Sequence, residues 1–191
     1  MIDGWTTTSS GTLHVGQRMS LRRDEIRRPS GTPGAYEYIE LADGVRIAAI
    51  DDQHRIALVQ EDVYVAGERL TMLPGGGCES FETPQQAAER ELAEEAGITA
   101  SRIQLLTVMW RMPGGARTRE YLYLARGLSL GQHHREASEG DMTLHWVPIT
   151  EAVEMCRDGR ITEAGTLAAV LLAALQLTNE PDQPDTGDER N

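Results

Sequence analysis

Short apolar runs, rich in β-branched and aromatic residues and broken by polar turn residues, mark the first half of the chain: "AYEYIEL", "VRIAAID" and "RIALVQ". The first two bracket Asp43-Gly44 and the third follows "DDQH", so this third of the chain is expected to form antiparallel strands. "RLTMLPG" predicts another short strand, stopped by Pro74 and the glycines after it. The period then becomes helical. Ala88, Leu92 and Ala96 fall on one side of a helix predicted from about Pro84 to Ala96, with Thr83 as N-cap, Pro84 in the first turn and Gly97 as the stop. "IQLLTVMW" and "EYLYLARGL" predict two strands joined by the Pro/Gly-rich "RMPGGARTR", and "MTLHWVPI" predicts one more. Two helices should close the order: amphipathic "TEAVEMCRDGR" with Thr150 as N-cap, and apolar "TEAGTLAAVLLAALQL", suited to packing on a sheet.

The two ends lack this patterning. Residues 1–12 are small and polar and are expected to be flexible, and the tail from Thr178, rich in Pro, Asp and Glu, is expected to be a disordered acidic segment. One domain over residues 13–177 remains, in keeping with a chain of 191 residues. Composition adds exclusions. At 40% hydrophobic and 25% charged residues the chain reads as a soluble globular protein, and no apolar run approaches the roughly 18 residues of a membrane span. "MIDGWTTTSSGTLHV" lacks the basic and then apolar segments of a secretory signal, so a cytoplasmic location is expected. A net charge of −12 disfavours nucleic acid and anionic membranes as partners, although "SLRRDEIRRP" offers a local basic patch to an anionic substrate. Cys78 and Cys156 stand far apart with no zinc-like spacing, so reduced thiols are expected.

Charge concentrates in "GGCESFETPQQAAERELAEEAGI", where Glu82, Glu89, Glu91, Glu94 and Glu95 surround Arg90. Like charges at helical spacing destabilise a helix by a few tenths of a kcal/mol per pair, so a compensating partner is expected. Glu91, Glu94 and Glu95 stand at i, i+3 and i+4 on one helical face, and carboxylate oxygens at that density suit Mg²⁺ or Mn²⁺. The adjacent "LPGGG" can turn tightly and bring a backbone carbonyl to the same ion. Arg90 keeps its charge and can hold one carboxylate by paired hydrogen bonds, with Glu82 the natural recipient. A solvated acidic face is the ordinary reading of a Glu-rich helix, and only the full spacing decides against it.

That spacing is G-x5-E-x7-R-E-U-x-E-E-x-G-U, with U a bulky apolar residue, filled by Gly76, Glu82, Arg90, Glu91, Leu92, Glu94, Glu95, Gly97 and Ile98. It resembles the Nudix box at every position. The resemblance implies an α/β fold, an α/β/α sandwich around a mixed sheet with an N-terminal strand extension. It also implies metal-dependent hydrolysis of a nucleoside diphosphate linked to a further moiety. Under it Glu91, Glu94 and Glu95 are metal-site carboxylates, Gly75 supplies a backbone carbonyl, and Arg90 and Glu82 brace the box together with Gly76 and Gly97. One, two or three Mg²⁺ ions are compatible with this set.

Over roughly residues 35–177 the chain is similar to the ADP-ribose pyrophosphatase branch, through Pro113 in "MPGG", the following "YLYLARGL" and the C-terminal "VPITEAVEMCRDGRITEAGTLAAVLLAAL". This similarity implies cleavage of ADP-ribose to AMP and ribose 5-phosphate, and a homodimer that exchanges N-terminal strands within residues 13–41. It also implies a water-activating glutamate from a late loop, here within "HHREASEGDMTLHW", where Glu139 is the first choice and Glu136 the second. His133 and His134 are read as exposed loop residues. The chain departs from the branch at "QEDVY", which lacks an expected arginine, at "MLPGG" in place of "ELPAG", and at "ARTR", which lacks an acidic residue. A UDP-sugar, a nucleoside triphosphate or binding without hydrolysis therefore stay open as alternatives. Arg111, Pro113, Gly114, Arg117 and Arg119 form the expected substrate segment. Trp5, Tyr36 and Trp110 are able to stack on a base, with core or strand packing the simpler expectation.

Overall fold

The structure, a computed structural model, describes residues 4–131 and 142–179. Its order is β1 (Thr6–Val15), β2 (Met19–Arg27), β3 (Pro33–Leu41), β4 (Gly44–Ala49), β5 (Arg55–Val63), β6 (Glu68–Met72), α1 (Pro84–Ala96), β7 (Ile98–Trp110), β8 (Ala116–Arg117), β9 (Arg119–Leu130), β10 (Thr143–Pro148), α2 (Ile149–Asp158) and α3 (Ala164–Asn179).

The centre is a mixed sheet in the order β4-β9-β7, with β4 parallel and β7 antiparallel to β9. The two-residue period of β4 sends Val45, Ile47 and Ala49 to one face and Ala48 and Ile50 to the other. The first face meets Ala87, Ala88, Leu92 and Ala96 of α1. The second meets Ala152 and Met155 of α2 and Ala169, Val170 and Ala173 of α3. A strand buried on both faces reads as nearly continuous apolar sequence, which is why "VRIAAI" carries a single charge. The helices on both faces give the expected α/β/α sandwich. Each fully buried Leu or Ile of these layers, Leu92 and Ile47 among them, contributes on the order of 1.5–3 kcal/mol.

Two further sheets flank it, β10-β5-β6 and β1-β2-β3-β8, the latter being the N-terminal extension. α1 starts and stops as its sequence predicts. Thr83 forms a capping box with Gln86, and Gly97 ends the helix at φ +65° with its N–H on the Ala93 carbonyl.

Four local expectations are corrected. Asp43-Gly44 does not close a hairpin: β3 and β4 lie in different sheets, and β4 meets β5 only through the Ile50–Ile56 bridge. The short-range turn signal lost to the burial of β4 beside β9. Residues 6–12, expected to be flexible, belong to β1 and pair with β2. Backbone pairing and side-chain hydrogen bonds across the pair, from Thr8 to the Glu25 carbonyl and from Arg22 to Thr12 and Ser10, organise them, since every residue of β1 is exposed and none joins a core. α2 begins at Ile149 with Pro148 at the cap position and no side-chain cap, because β10 runs straight into the helix; Thr150 is therefore inside the first turn. α3 continues through Thr178 and Asn179, whose backbone the acidic tail was expected to claim. Among the described residues no helix is long and apolar enough to cross a membrane.

Candidate functional site

The acidic segment folds into a loop laid along β4 and the helix α1 behind it. Val45 N–H donates to the Gly76 carbonyl and Ile47 N–H to the Pro74 carbonyl, each at 2.9 Å, so the loop runs beside β4 almost as an extra strand. Gly75 adopts φ +154°, and a Cβ there would overlap the Val45 carbonyl oxygen. A Cβ on Gly76 would overlap the Glu91 carboxylate, which gives the first box glycine its physical reason.

Arg90 organises the carboxylates. It donates to both oxygens of Glu82, at 3.1 and 2.7 Å, to the Gly77 carbonyl at 3.0 Å, and through Nη1 to Glu91 Oε1 and Glu94 Oε2 at 2.9 Å each. Glu82 also accepts the Glu79 N–H at 2.8 Å. The Arg90 hydrogen bonds hold the Glu82 carboxyl below its ordinary range against the opposing pull of burial, and Glu82 in turn raises the Arg90 pKa. Glu91 and Glu95 are only 8% and 6% exposed, whereas Glu94 is more open to solvent. Glu95 Oε2 accepts the Gly75 N–H at 2.8 Å. Gly75, Gly76, Glu82, Arg90, Glu91, Glu94 and Glu95 are thus brought together, with Gly97 capping the helix that carries them.

As the side chains stand, no three His, Cys, Asp or Glu groups among the described residues converge as a ready metal cage; the Arg90 guanidinium stands between Glu91 and Glu94. The donor chemistry nonetheless fits a hard divalent cation, since it consists of carboxylate oxygens and the adjacent Gly75 carbonyl.

A second charged group, not foreseen, backs this loop. Arg46 Nη1 donates to the Gly75 carbonyl at 2.7 Å, and its Nε stands 3.2 Å from Glu163 Oε2 and 3.9 Å from Glu120 Oε1. Burial opposes its charge, but Glu163, Glu120 and Glu95 outweigh that and raise its pKa. Burial pushes the Glu120 carboxyl up, against the pull of Arg46 and Arg111. Glu163 feels the same burial yet ends below its ordinary range, held by Arg46 and by hydrogen bonds from Thr166 and Gly165. The signal available in the sequence was Arg46, the single charge in the otherwise apolar "VRIAAI"; Glu120, in a strand that also carries Arg119 and Arg126, and Glu163 gave none.

The substrate segment divides. Arg111 lies beside the box loop, its Nε 3.7 Å from Glu120 Oε1. Arg117 bonds Glu40 at 3.2 Å and covers the Tyr38 ring, while Arg119 stacks over Trp110. Gly114 offers its carbonyl to the Tyr36 hydroxyl at 3.1 Å. Pro113 and Arg117, with Trp5, Tyr36, Tyr38 and Trp110, line a cavity of about 500 Å³. Tyr36 and Trp110 stand on strands, as the simpler expectation had it, and with Trp5 they also share this cavity, because β8 carries the loop after β7 against the N-terminal sheet. The basic patch is also dispersed: Arg23 pairs with Glu25 and Glu37, and Arg27 and Arg28 bond the Gly31 and Pro33 carbonyls. Glu139, Glu136, His133 and His134 lie outside the described residues.

A family model described as the NUDIX domain matches residues 40–170, well over half of the chain. An ADP-ribose pyrophosphatase of Mycobacterium tuberculosis is 38% identical over 167 residues, spanning 86% of this chain and 81% of that protein. A CMP-5'-(N-acetyl-N-hydroxy-3-aminopropyl)phosphonate hydrolase of Streptomyces rubellomurinus is 28% identical over 180 residues, spanning 94% and 86%. A solved structure described as an ADP compounds hydrolase superposes with a TM-score of 0.81 at 18% identity, covering 93% of this chain and 96% of that one, a likeness of fold.

Proposed function

Since the chain belongs to the Nudix family, we propose that it hydrolyses the pyrophosphate bond of ADP-ribose, giving AMP and ribose 5-phosphate, with a divalent cation as cofactor. The observation that carries this reading is the braced box: Arg90 holds Glu82, Glu91 and Glu94 in one network while Glu95 holds the Gly75 backbone. All box carboxylates are kept, which speaks against a module that only binds.

In this reading Glu91, Glu94, Glu95 and the Gly75 carbonyl hold Mg²⁺, or Mn²⁺ in its place. Such a cation supplies charge neutralisation on the pyrophosphate and a lower pKa for an attacking water. The chain's own residues do the rest. Arg90 keeps the carboxylates grouped when no cation balances them. Arg111, beside the box loop, receives a phosphate of the substrate. Trp5, Tyr36 and Trp110 give a base a surface to stack on, with Pro113 and Arg117 shaping the cavity, the Gly114 carbonyl holding the Tyr36 hydroxyl and Arg119 backing Trp110. Glu139, or Glu136 in its place, takes the proton of the attacking water. The same reading places the protein in the cytoplasm as a homodimer joined through its N-terminal strands, which the open, fully exposed β1 supports.

A second reading, a different nucleotide-linked substrate such as a UDP-sugar or a nucleoside triphosphate, draws on the departures at "QEDVY", "MLPGG" and "ARTR". The deciding experiment incubates the protein with Mg²⁺ and a panel of nucleoside diphosphate and triphosphate derivatives and identifies products by chromatography. AMP and ribose 5-phosphate from ADP-ribose are expected. Preference for a triphosphate would overturn the substrate, and no turnover of any compound would overturn the activity.

A further inference from the structure

Arg46 is the single charge in a strand otherwise made to be buried, and β4 sends it to the α3 side of the sheet with Ala48. Taking an arginine out of water is expensive unless its donors are used, so its partners indicate what it is there to hold. They are two. Nη1 reaches the Gly75 carbonyl at 2.7 Å, and Nε reaches Glu163 at 3.2 Å. Glu163 is itself fixed, because its carboxylate accepts the N–H groups of Gly165 at 3.0 Å and Thr166 at 2.7 Å and so caps α3. Thr166 Oγ1 in turn accepts the Leu73 N–H at 3.0 Å. A Cβ on Gly165 would overlap Glu120, so the first turn of α3 lies hard against the Arg46–Glu120 pair. The first turn of α3 therefore grips the box loop at its start, through Thr166, and at Gly75, through Arg46.

A carbonyl oxygen has two lone pairs. Arg46 takes one at Gly75 and leaves the other. We propose that Arg46 is a positioning residue for the divalent cation: it fixes the Gly75 carbonyl and makes that placement depend on the seat of α3. This rests on the cation site of the preceding section. Charge alone gives the opposite expectation, since a guanidinium beside a cation repels it. Geometry and electrostatics thus predict opposite signs for removing Arg46.

The test is Mn²⁺ binding to the full-length protein, read from the electron paramagnetic resonance signal of free Mn²⁺, for wild type, Arg46→Lys and Arg46→Met, with circular dichroism to establish folding. Loss of a residue that orients a metal ligand typically weakens metal affinity about 10–100-fold. Arg46→Lys, which keeps the charge and loses the fork, is expected to raise the Mn²⁺ Kd about tenfold, and Arg46→Met by at least as much. An unchanged Kd in the Lys variant, or a tighter one in the Met variant, overturns the proposal while leaving the cation site standing. Absence of Mn²⁺ binding by the wild type sinks both. Should Arg46→Met fail to fold, the Lys variant decides alone.

Discussion

Arg90 grips Glu82 through two nitrogens at once, Nε to Oε2 at 3.1 Å and Nη2 to Oε1 at 2.7 Å, so the loop before α1 and the helix itself meet in one planar pair. A lysine supplies charge without the fork. Arg90→Lys should therefore lower kcat/KM about 10–100-fold while moving the thermal midpoint by only a few degrees. Steady-state kinetics beside a melting curve would separate the two; a normal rate would leave the fork without a catalytic purpose.

The same pair has a pH signature. Glu82 is held below its ordinary value by Arg90, so its contribution to stability is present above the unfolded pKa of about 4.3 and disappears as pH falls through the lower folded value. Urea midpoints measured from pH 6 down to pH 3 should fall less steeply for Glu82→Gln than for wild type. Parallel curves would assign the acid sensitivity to other groups.

Glu95→Gln should abolish most turnover, by about a hundredfold or more, because one carboxylate of the proposed cation site is lost. The fold should survive. Glu95 is buried, and the swap is tolerated because glutamine retains an acceptor for the Gly75 N–H. A large loss of thermal stability in metal-free buffer would mark Glu95 as a structural residue.

Two neighbouring glycines provide a matched comparison. A Cβ at Gly75 would overlap the Val45 carbonyl, whereas nothing lies near one at Gly77. Gly75→Ala should cost about 1–3 kcal/mol and lower the melting point by about 5 °C, with loss of Mn²⁺ affinity. Gly77→Ala should melt within about 2 °C of wild type. Equal effects at both positions would disprove the steric argument.

Stacking on an aromatic ring contributes about 1–3 kcal/mol per base. Trp110→Leu should therefore raise KM for ADP-ribose by about tenfold or more with little change in kcat. A fall in kcat at constant KM would detach the aromatic cavity from substrate binding.

The parts of this molecule legible from sequence are those whose cause is local. Thr83, Pro84 and Gly97 bound α1 because capping is decided within one turn, and the spacing from Gly76 to Ile98 identifies the box because one loop and one helix hold it. Where the cause is distant the sequence misled. Asp43-Gly44 carried a hairpin signal, but β4 found its partner in β9, more than seventy residues later in the chain. Residues 6–12 have no apolar pattern, and only pairing with β2 makes them a strand. Arg46 and Glu163 look like unrelated charges until the sandwich closes and burial forces them together.

The tie between Arg46 and Glu163 spans 117 positions of the chain, and the one between Leu73 and Thr166 spans 93. Synthesis proceeds from the N-terminus at roughly 5–20 residues per second, and contacts of such separation form late. A nascent chain, or one cut ahead of α3, carries the whole box without the scaffold that shapes its loop. The shape of the box loop is thereby tied to the arrival of α3, long after the box itself has been made.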